Sequence, residues 1–209
     1  MIATHTPPAA EIRILALGDS YTVGEGVTVE ERWPMQLAAM LRARGLAVAT
    51  PTIVAHTGWT TDELSAGITD APPAGTFNLV TLLIGVNNQY RDRGADEYRA
   101  QFRALLARAI GFAGGRATHV IVVSIPDWGA TPFADGRDRV RIARDIDAFN
   151  EVNRDESARV GARYVDITPI SRRAADEAAL VGRDMLHPSA RMYAAWVQAM
   201  LPVVLAAIG

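Results

Sequence analysis

Ser20, Gly58, Asn87, Asp184 and His187 are the residues of this chain whose types and spacing carry chemistry. Ser20 closes Leu17-Gly18-Asp19-Ser20, directly behind the apolar run Ile14 to Leu17. Gly58 stands just before a helix start at Thr60, and Asn87 follows a second apolar run that ends in Leu83-Ile84-Gly85-Val86. Asp184 and His187 lie far downstream, in Asp184-Met185-Leu186-His187-Pro188. A hydroxyl, a distant imidazole, a carboxylate shortly before that imidazole and polar positions at strand ends are the parts of nucleophilic acyl transfer. In that chemistry the carboxylate holds the imidazole tautomer, and the imidazole takes the serine proton and later returns it to the leaving group. The backbone N–H groups of Ser20 and Gly58, with the Asn87 side-chain amide, are the donors available to a developing oxyanion. Each such donor is typically worth about 3 kcal/mol of transition-state stabilisation. Every segment alone has a plainer reading. Gly-Asp-Ser is also an ordinary strand-end turn, Asn87-Asn88 an Asx-turn, Gly58 a positive-φ position and Asp184 a turn cap. Their order and placement together single out the chemistry.

Composition narrows the field by elimination. The chain has 209 residues, 49% of them hydrophobic, enough to build one compact domain over residues 1–209 with 1–11 as a short flexible tail. Net charge is −2 with both signs interspersed, which argues against nucleic acid as a partner and against a polybasic membrane patch. There is no cysteine, so disulfides, thiolate nucleophiles, iron–sulfur clusters and Cys-based zinc sites are excluded. All 21 basic residues are Arg, which excludes a lysine Schiff base, a Ser-Lys dyad and a P-loop lysine. Of the histidines His5, His56, His119 and His187, no two lie at i, i+4 spacing, so no metal site is expected. His56 is read at the site rim, His119 at the start of a buried strand and His5 in the tail. Met1–Glu11 lacks the apolar stretch of a signal peptide. The apolar segment Trp196–Ile208 is too short to span a bilayer. A cytoplasmic chain without stable membrane insertion is the expectation.

The elements that must position these residues read as five strands alternating with helices. Strands are expected at Ile12–Leu17, Leu46–Val54, Phe77–Ile84, His119–Ser124 and Arg163–Asp166, and helices at Trp33–Arg44, Thr61–Gly67, Asp96–Phe112, Val140–Val160 and Ser189–Ala207. That alternation predicts an α/β domain with a parallel sheet covered by helices on both faces. In such sheets ligands bind beyond the carboxyl ends of the strands, where strand order reverses. Ser20, Gly58 and Asn87 each follow a strand and so emerge at that edge. Thr60 and Glu63 form a T-x-x-E capping box for the helix behind Gly58. The Pro126–Phe133 loop follows the fourth strand at the same edge, with Trp128 and Phe133 as an acyl-binding wall or lid, or as a packed surface loop. Tyr21, Trp59 and Asn88, beside the candidate residues, are further pocket positions. Arg91 and Arg93 either meet an anionic substrate group or stay solvated.

These segments resemble the four blocks of the SGNH/GDSL hydrolases, serine esterases of flavodoxin-like fold named for their Ser, Gly, Asn and His. The resemblance runs from about residue 12 to 200, with all four blocks in the family's order. It implies Ser20 as nucleophile, His187 as base, Asp184 as its orienter, and Ser20, Gly58 and Asn87 as oxyanion donors. It also implies a three-layer αβα sandwich around a five-stranded parallel sheet, no cofactor, and a small-molecule ester as partner. Two positions depart from the pattern: the first block ends in Tyr21 rather than Leu, and Asn88 stands where Asp is common. The expected function is a serine ester hydrolase working through an acyl-enzyme on small to medium acyl esters or thioesters. A carbohydrate O-deacetylase is the alternative within the family. From another class, a non-catalytic flavodoxin-like module would use the same edge for FMN or phosphate, although Gly24-x-Gly26 lacks the third glycine of a dinucleotide fingerprint. The G-x-S-x-G elbow of α/β-hydrolases is absent, since Thr22 stands where its second glycine would be.

Overall fold

A computed structural model describes residues 11–209. The tail expected over 1–11, apart from Glu11, and His5 within it lie outside the described residues. Five Val-, Ile- and Leu-rich runs form parallel strands: β1 (Ile14–Gly18), β2 (Thr52–Ala55), β3 (Leu79–Leu83), β4 (Val120–Val123) and β5 (Arg163–Val165). The order across the sheet is β2-β1-β3-β4-β5. β1, β3 and β4 are buried at every position, as strands covered on both faces require. From β1 the chain first crosses to β2 on one side and then back to β3 on the other. The order therefore reverses between β1 and β3, and a crevice opens at their carboxyl ends.

Among the described residues, eight α-helices complete the fold. α1 (Ser20–Val23) and α4 (Val86–Tyr90) are single short turns that follow β1 and β3. α2 (Trp33–Arg42) and α8 (Ala190–Ile208) pack against one another on one face of the sheet. α3 (Thr61–Asp70), α5 (Ala95–Phe112) and α6 (Arg139–Val160) form the other layer, and α7 (Thr168–Arg172) follows β5. This is the three-layer flavodoxin-like sandwich that the alternation and the motif blocks predict. Trp33, Trp196, Tyr98 and Phe102 are among the large side chains filling the two helix–sheet interfaces.

Three elements differ from their expected form. β2 begins at Thr52, not Leu46; Val48 makes only an isolated bridge to Ile12, and Pro51, which has no N–H for the ladder, separates the two stretches. His119 ends a 3₁₀ turn before β4 and is only half-buried, its Nδ1 facing the Asn78 carbonyl at 2.8 Å. α8 is 19 residues long, enough to cross a membrane by length and composition. It is instead a core helix: Tyr193, Trp196, Val197, Met200 and Val204 are fully buried against α2 and the sheet.

Candidate active site

The close approach of two strand ends places Ser20. Gly18 ends β1 where a Cβ would fall 2.2 Å from the Thr22 hydroxyl and 2.5 Å from the Leu83 carbonyl, so only glycine lets β1 turn here beside β3. Asp19 then caps α1, its Oδ1 accepting the Tyr21 N–H at 3.0 Å. Ser20 becomes the first helical residue, so its own N–H has no intrahelical carbonyl to reach and faces outward. Asp19 itself is fully buried and its Oδ2 finds no partner among the described residues. Burial pushes its carboxyl up to about 7, against the opposing hydrogen bond from Tyr21.

His187 reaches Ser20 from the far end of the chain. Its Nε2 lies 3.0 Å from Ser20 Oγ and its Nδ1 2.6 Å from Asp184 Oδ2. The three-residue spacing works because the loop doubles back on itself. Asp184 Oδ1 accepts the N–H groups of Leu186 and His187 at 3.0 and 2.9 Å, and the Gly182 N–H closes the loop onto the His187 carbonyl at 2.6 Å. Met185 takes the left-handed conformation, φ +65°, to make that turn, a strain on the order of 1 kcal/mol that the loop hydrogen bonds hold in place. Burial raises the Asp184 carboxyl, but the His187 ring and the two backbone N–H groups outweigh it and hold it below its usual range. Asp184 therefore stays a carboxylate and keeps the Nδ1 proton on His187, which frees Nε2 to accept from the Ser20 hydroxyl. Such a line can move a proton from serine to imidazole.

Gly58 and Asn87 meet on the other side of Ser20. Gly58, at φ +85°, turns the chain between β2 and α3. Asn87, second residue of α4, donates from Nδ2 to the Trp59 carbonyl at 2.9 Å, which leaves the other amide proton free. Arg91 Nη2 donates to the Gly58 carbonyl at 2.7 Å while its Nη1 pairs with Glu63 at 3.1 Å. Asn88, fully buried, holds the next peptide: Oδ1 accepts the Thr61 N–H at 3.0 Å and Nδ2 donates to Thr61 Oγ1 at 2.8 Å. α4 and the residue after it thus clamp the Gly58 loop at three successive peptide groups, 58–59, 59–60 and 60–61.

A cleft of about 220 Å³ opens over these groups, lined by Ser20, Gly58, Asn87 and His187 and walled by Tyr21, Val86, Tyr90, Trp128, Phe133 and Leu186. Of the pocket positions named from sequence, it takes in Tyr21, Trp128 and Phe133 but not Trp59 or Asn88. The Trp59 ring lies over α3, where a Cβ on Gly67 would sit 2.2 Å from it. His56 is exposed, its ring centroid 5.5 Å from that of Trp59. Arg91 and Arg93 are both ion-paired while still reaching solvent: Arg93 meets Asp62 at 2.8 Å and Glu97 at 3.3 Å. The Trp128 loop is tied to its surroundings at three points. Trp128 Nε1 donates to Gln89 at 2.8 Å, Arg172 holds Asp127 at 2.9 Å, and the Phe133 N–H bonds the Met185 carbonyl at 3.0 Å. Tyr90 and Leu186 are wall residues that the motif reading passes over. Their signal is placement, Tyr90 one helical turn past Asn87 and Leu186 inside the Asp184–His187 loop. Among the described residues no cluster of His, Asp and Glu could hold a metal ion.

Comparison with solved structures finds the same architecture. A member of the lipolytic G-D-S-L family from Veillonella parvula is 18% identical, with 93% of this chain and 98% of that one covered at a TM-score of 0.68. Axe2, an acetylxylan esterase from Geobacillus stearothermophilus, is 19% identical over 92% and 94%, at 0.71. The esterase EstA from Pseudoalteromonas sp. is 17% identical over 94% and 98%, at 0.68. No curated protein sequence matches this chain. The family model of the GDSL-like lipase/acylhydrolases matches residues 16–195, from β1 into α8. On that match the chain belongs to the GDSL-like lipase/acylhydrolase family, and it is an ester hydrolase.

Proposed function

We propose that the protein hydrolyses esters of small to medium acyl groups through a covalent acyl-enzyme on Ser20. The observation that carries this reading is the unbroken line from Asp184 Oδ2 through both ring nitrogens of His187 to Ser20 Oγ, at 2.6 and 3.0 Å. Ser20 Oγ attacks the ester carbonyl as its proton passes to His187 Nε2, and Asp184 stabilises the imidazolium. The carbonyl oxygen, now anionic, takes hydrogen bonds from the Ser20 and Gly58 N–H groups and the free Asn87 amide proton. Collapse of the tetrahedral intermediate expels the alcohol or thiol with the proton from His187. Water, activated by the same imidazole, then releases the acid and restores Ser20.

Cleft size bears on the acyl group. About 220 Å³ is below the 300 Å³ or more of a drug-sized site, and Tyr21, Leu186 and Trp128 are among its walls. Short acyl chains fit without displacing those walls, whereas a palmitoyl chain must leave through the mouth. The test is fluorophosphonate labelling together with a p-nitrophenyl ester series from acetate to palmitate, on wild type and Ser20→Ala. Wild type is expected to label at Ser20 and to favour the short esters, and Ser20→Ala to lose roughly a million-fold in kcat. A label on another residue, or a Ser20→Ala protein that keeps its activity, would sink the assignment.

A further inference from the structure

Cations and carboxylates crowd the outer side of the Trp128 wall, and their pairing is uneven. Arg139 holds Asp135 at 2.5 Å and Arg141 holds Asp92 at 2.6 Å. Asp138 is taken up by the start of α6, where its carboxylate accepts the Arg141 N–H at 2.9 Å. Arg137 is left over. It is exposed, meets no carboxylate at ion-pair distance among the described residues, and makes one long hydrogen bond, 3.4 Å, to the Tyr90 hydroxyl. Its guanidinium lies instead against three rings, 5.2 Å from the centroid of Phe133, 5.4 Å from Trp128 and 5.5 Å from Tyr90.

Those three rings are walls of the Ser20 cleft, and a second hollow of about 170 Å³, which includes Arg137, continues outward past Tyr90 and Trp128. The guanidinium spends one N–H on the Tyr90 hydroxyl, and its other donors have no protein acceptor among the described residues. Attraction to three rings confines the side chain, so less freedom is lost when an anion takes two of its donors. Resting on the esterase reading of Ser20, we propose that Arg137 is an anion subsite, and that the preferred esters carry a carboxylate or phosphate on the part that lies along the aromatic wall.

A charge-matched pair of aryl acetates tests this, 4-acetoxybenzoate against 4-acetoxybenzamide, with 4-acetoxyphenyl phosphate as the phosphate arm. The quantity read is the ratio of kcat/KM for the anionic over the neutral ester, compared between wild type and Arg137→Gln so that intrinsic reactivity cancels. That ratio is expected to be about fivefold higher in wild type at low salt and to converge on the variant's value in 0.5 M salt. The larger of the two anionic effects identifies carboxylate or phosphate as the preferred group. An unchanged ratio for both anions overturns the subsite. A second readout needs no turnover: binding of 4-hydroxybenzoate and of 4-hydroxyphenyl phosphate to the Ser20→Ala protein, followed by tryptophan fluorescence through Trp128. Adding Arg137→Gln is expected to weaken at least one of them several-fold, and unchanged binding of both overturns the subsite whether or not the esterase reading holds. A wild type that cleaves none of these esters counts against the esterase reading alone, and the binding result then decides the subsite.

Discussion

Asp19 and Glu156 are both buried carboxylates, 0% and 1% exposed, and the protein treats them in opposite ways. Glu156, where α6 packs on α5, takes Arg103 Nε at 2.7 Å, Arg159 Nε at 2.8 Å and Arg99 Nη1 at 2.7 Å. The Arg103 hydrogen bond, with Arg159 and Arg99 behind it, outweighs burial and brings its carboxyl down to about 2. Asp19, beneath Ser20, takes one backbone N–H and no cation, and burial pushes it up to about 7. Nearby polar atoms share its condition, since the Thr22 and Tyr193 hydroxyls and the Trp196 N–H also find no protein partner among the described residues. Depth alone therefore does not decide the charge of a buried acid; the supply of partners does. The helical flank is arranged for stability. At the floor of the site, around the close turn at Gly18, several polar side chains have no protein partner among the described residues.

The largest effect expected from breaking this contrast lies on the flank. Glu156→Gln leaves three arginines facing a neutral amide and is expected to cost roughly 2–3 kcal/mol, less than a fully buried pair because the arginines are partly exposed. Calorimetry should show a thermal midpoint lower by about 4–12 °C with kcat on short esters untouched, because Glu156 is remote from the cleft. The pH dependence has a definite sign. A folded value near 2, against an ordinary 4.5, means this stabilisation is present above 4.5 and is lost as pH falls through 2. A variant that melts with wild type would show that the cluster is only a solvated surface.

Asp19 should show the reverse slope. Its folded value near 7 exceeds the ordinary 3.8, so between those values the folded protein holds a proton that the unfolded chain has lost. Its contribution is full below pH 3.8 and declines as pH rises through 7. Asp19→Asn keeps the acceptor for the Tyr21 N–H and removes the charge. It is expected to match wild type near pH 4 and to exceed it on the order of 2 kcal/mol at pH 8.5, measured by urea unfolding across that range. If the two unfolding midpoints keep a constant separation at every pH, Asp19 is not the titrating group.

What the sequence made legible follows the same division. Ser20, Gly58, Asn87, Asp184 and His187 were readable because each sits in a short block whose backbone conformation is local: a strand end, a turn before a helix, a doubled-back loop. The αβα order was readable because β1, β3 and β4 are continuous apolar runs between amphipathic helices. Contacts set by tertiary geometry were not. Trp59 follows Gly58 in sequence, yet the positive φ of Gly58 precedes a ring that lies over α3 and Gly67. Tyr90 sits on a five-residue helix too short to show a period. Arg91 looked like a charge after a turn and holds the Gly58 carbonyl from 33 positions away. Neither the cation cluster on Glu156 nor the solitude of Asp19 has a sequence signature, because both depend on what other elements bring alongside.

Between the paired and the unpaired acid stands Asn88, a neutral side chain where the family's pattern has Asp. Its amide donates to Thr61 Oγ1, the Thr61 hydroxyl donates to Gln101 Oε1, and Gln101 Nε2 donates to Glu97 at 3.0 Å. Every donor along that line points from α4 towards Glu97. Asn88→Asp removes the first donor and adds a buried carboxylate with no cation beside it, as at Asp19. The Thr61 proton must then turn back to residue 88, and Gln101 can answer only by flipping its amide, which would set its oxygen against the Glu97 carboxylate. The expected cost is about 1 kcal/mol, or roughly 2–4 °C in thermal midpoint. Glu97→Gln accepts the flipped amide, so the Asn88→Asp, Glu97→Gln double variant should be more stable than the sum of the two single changes by about 0.5 kcal/mol or more. Strict additivity in that double-mutant cycle would mean that hydrogen-bond direction does not matter here, and that Asn88 holds the Gly58 loop through its Thr61 N–H contact alone.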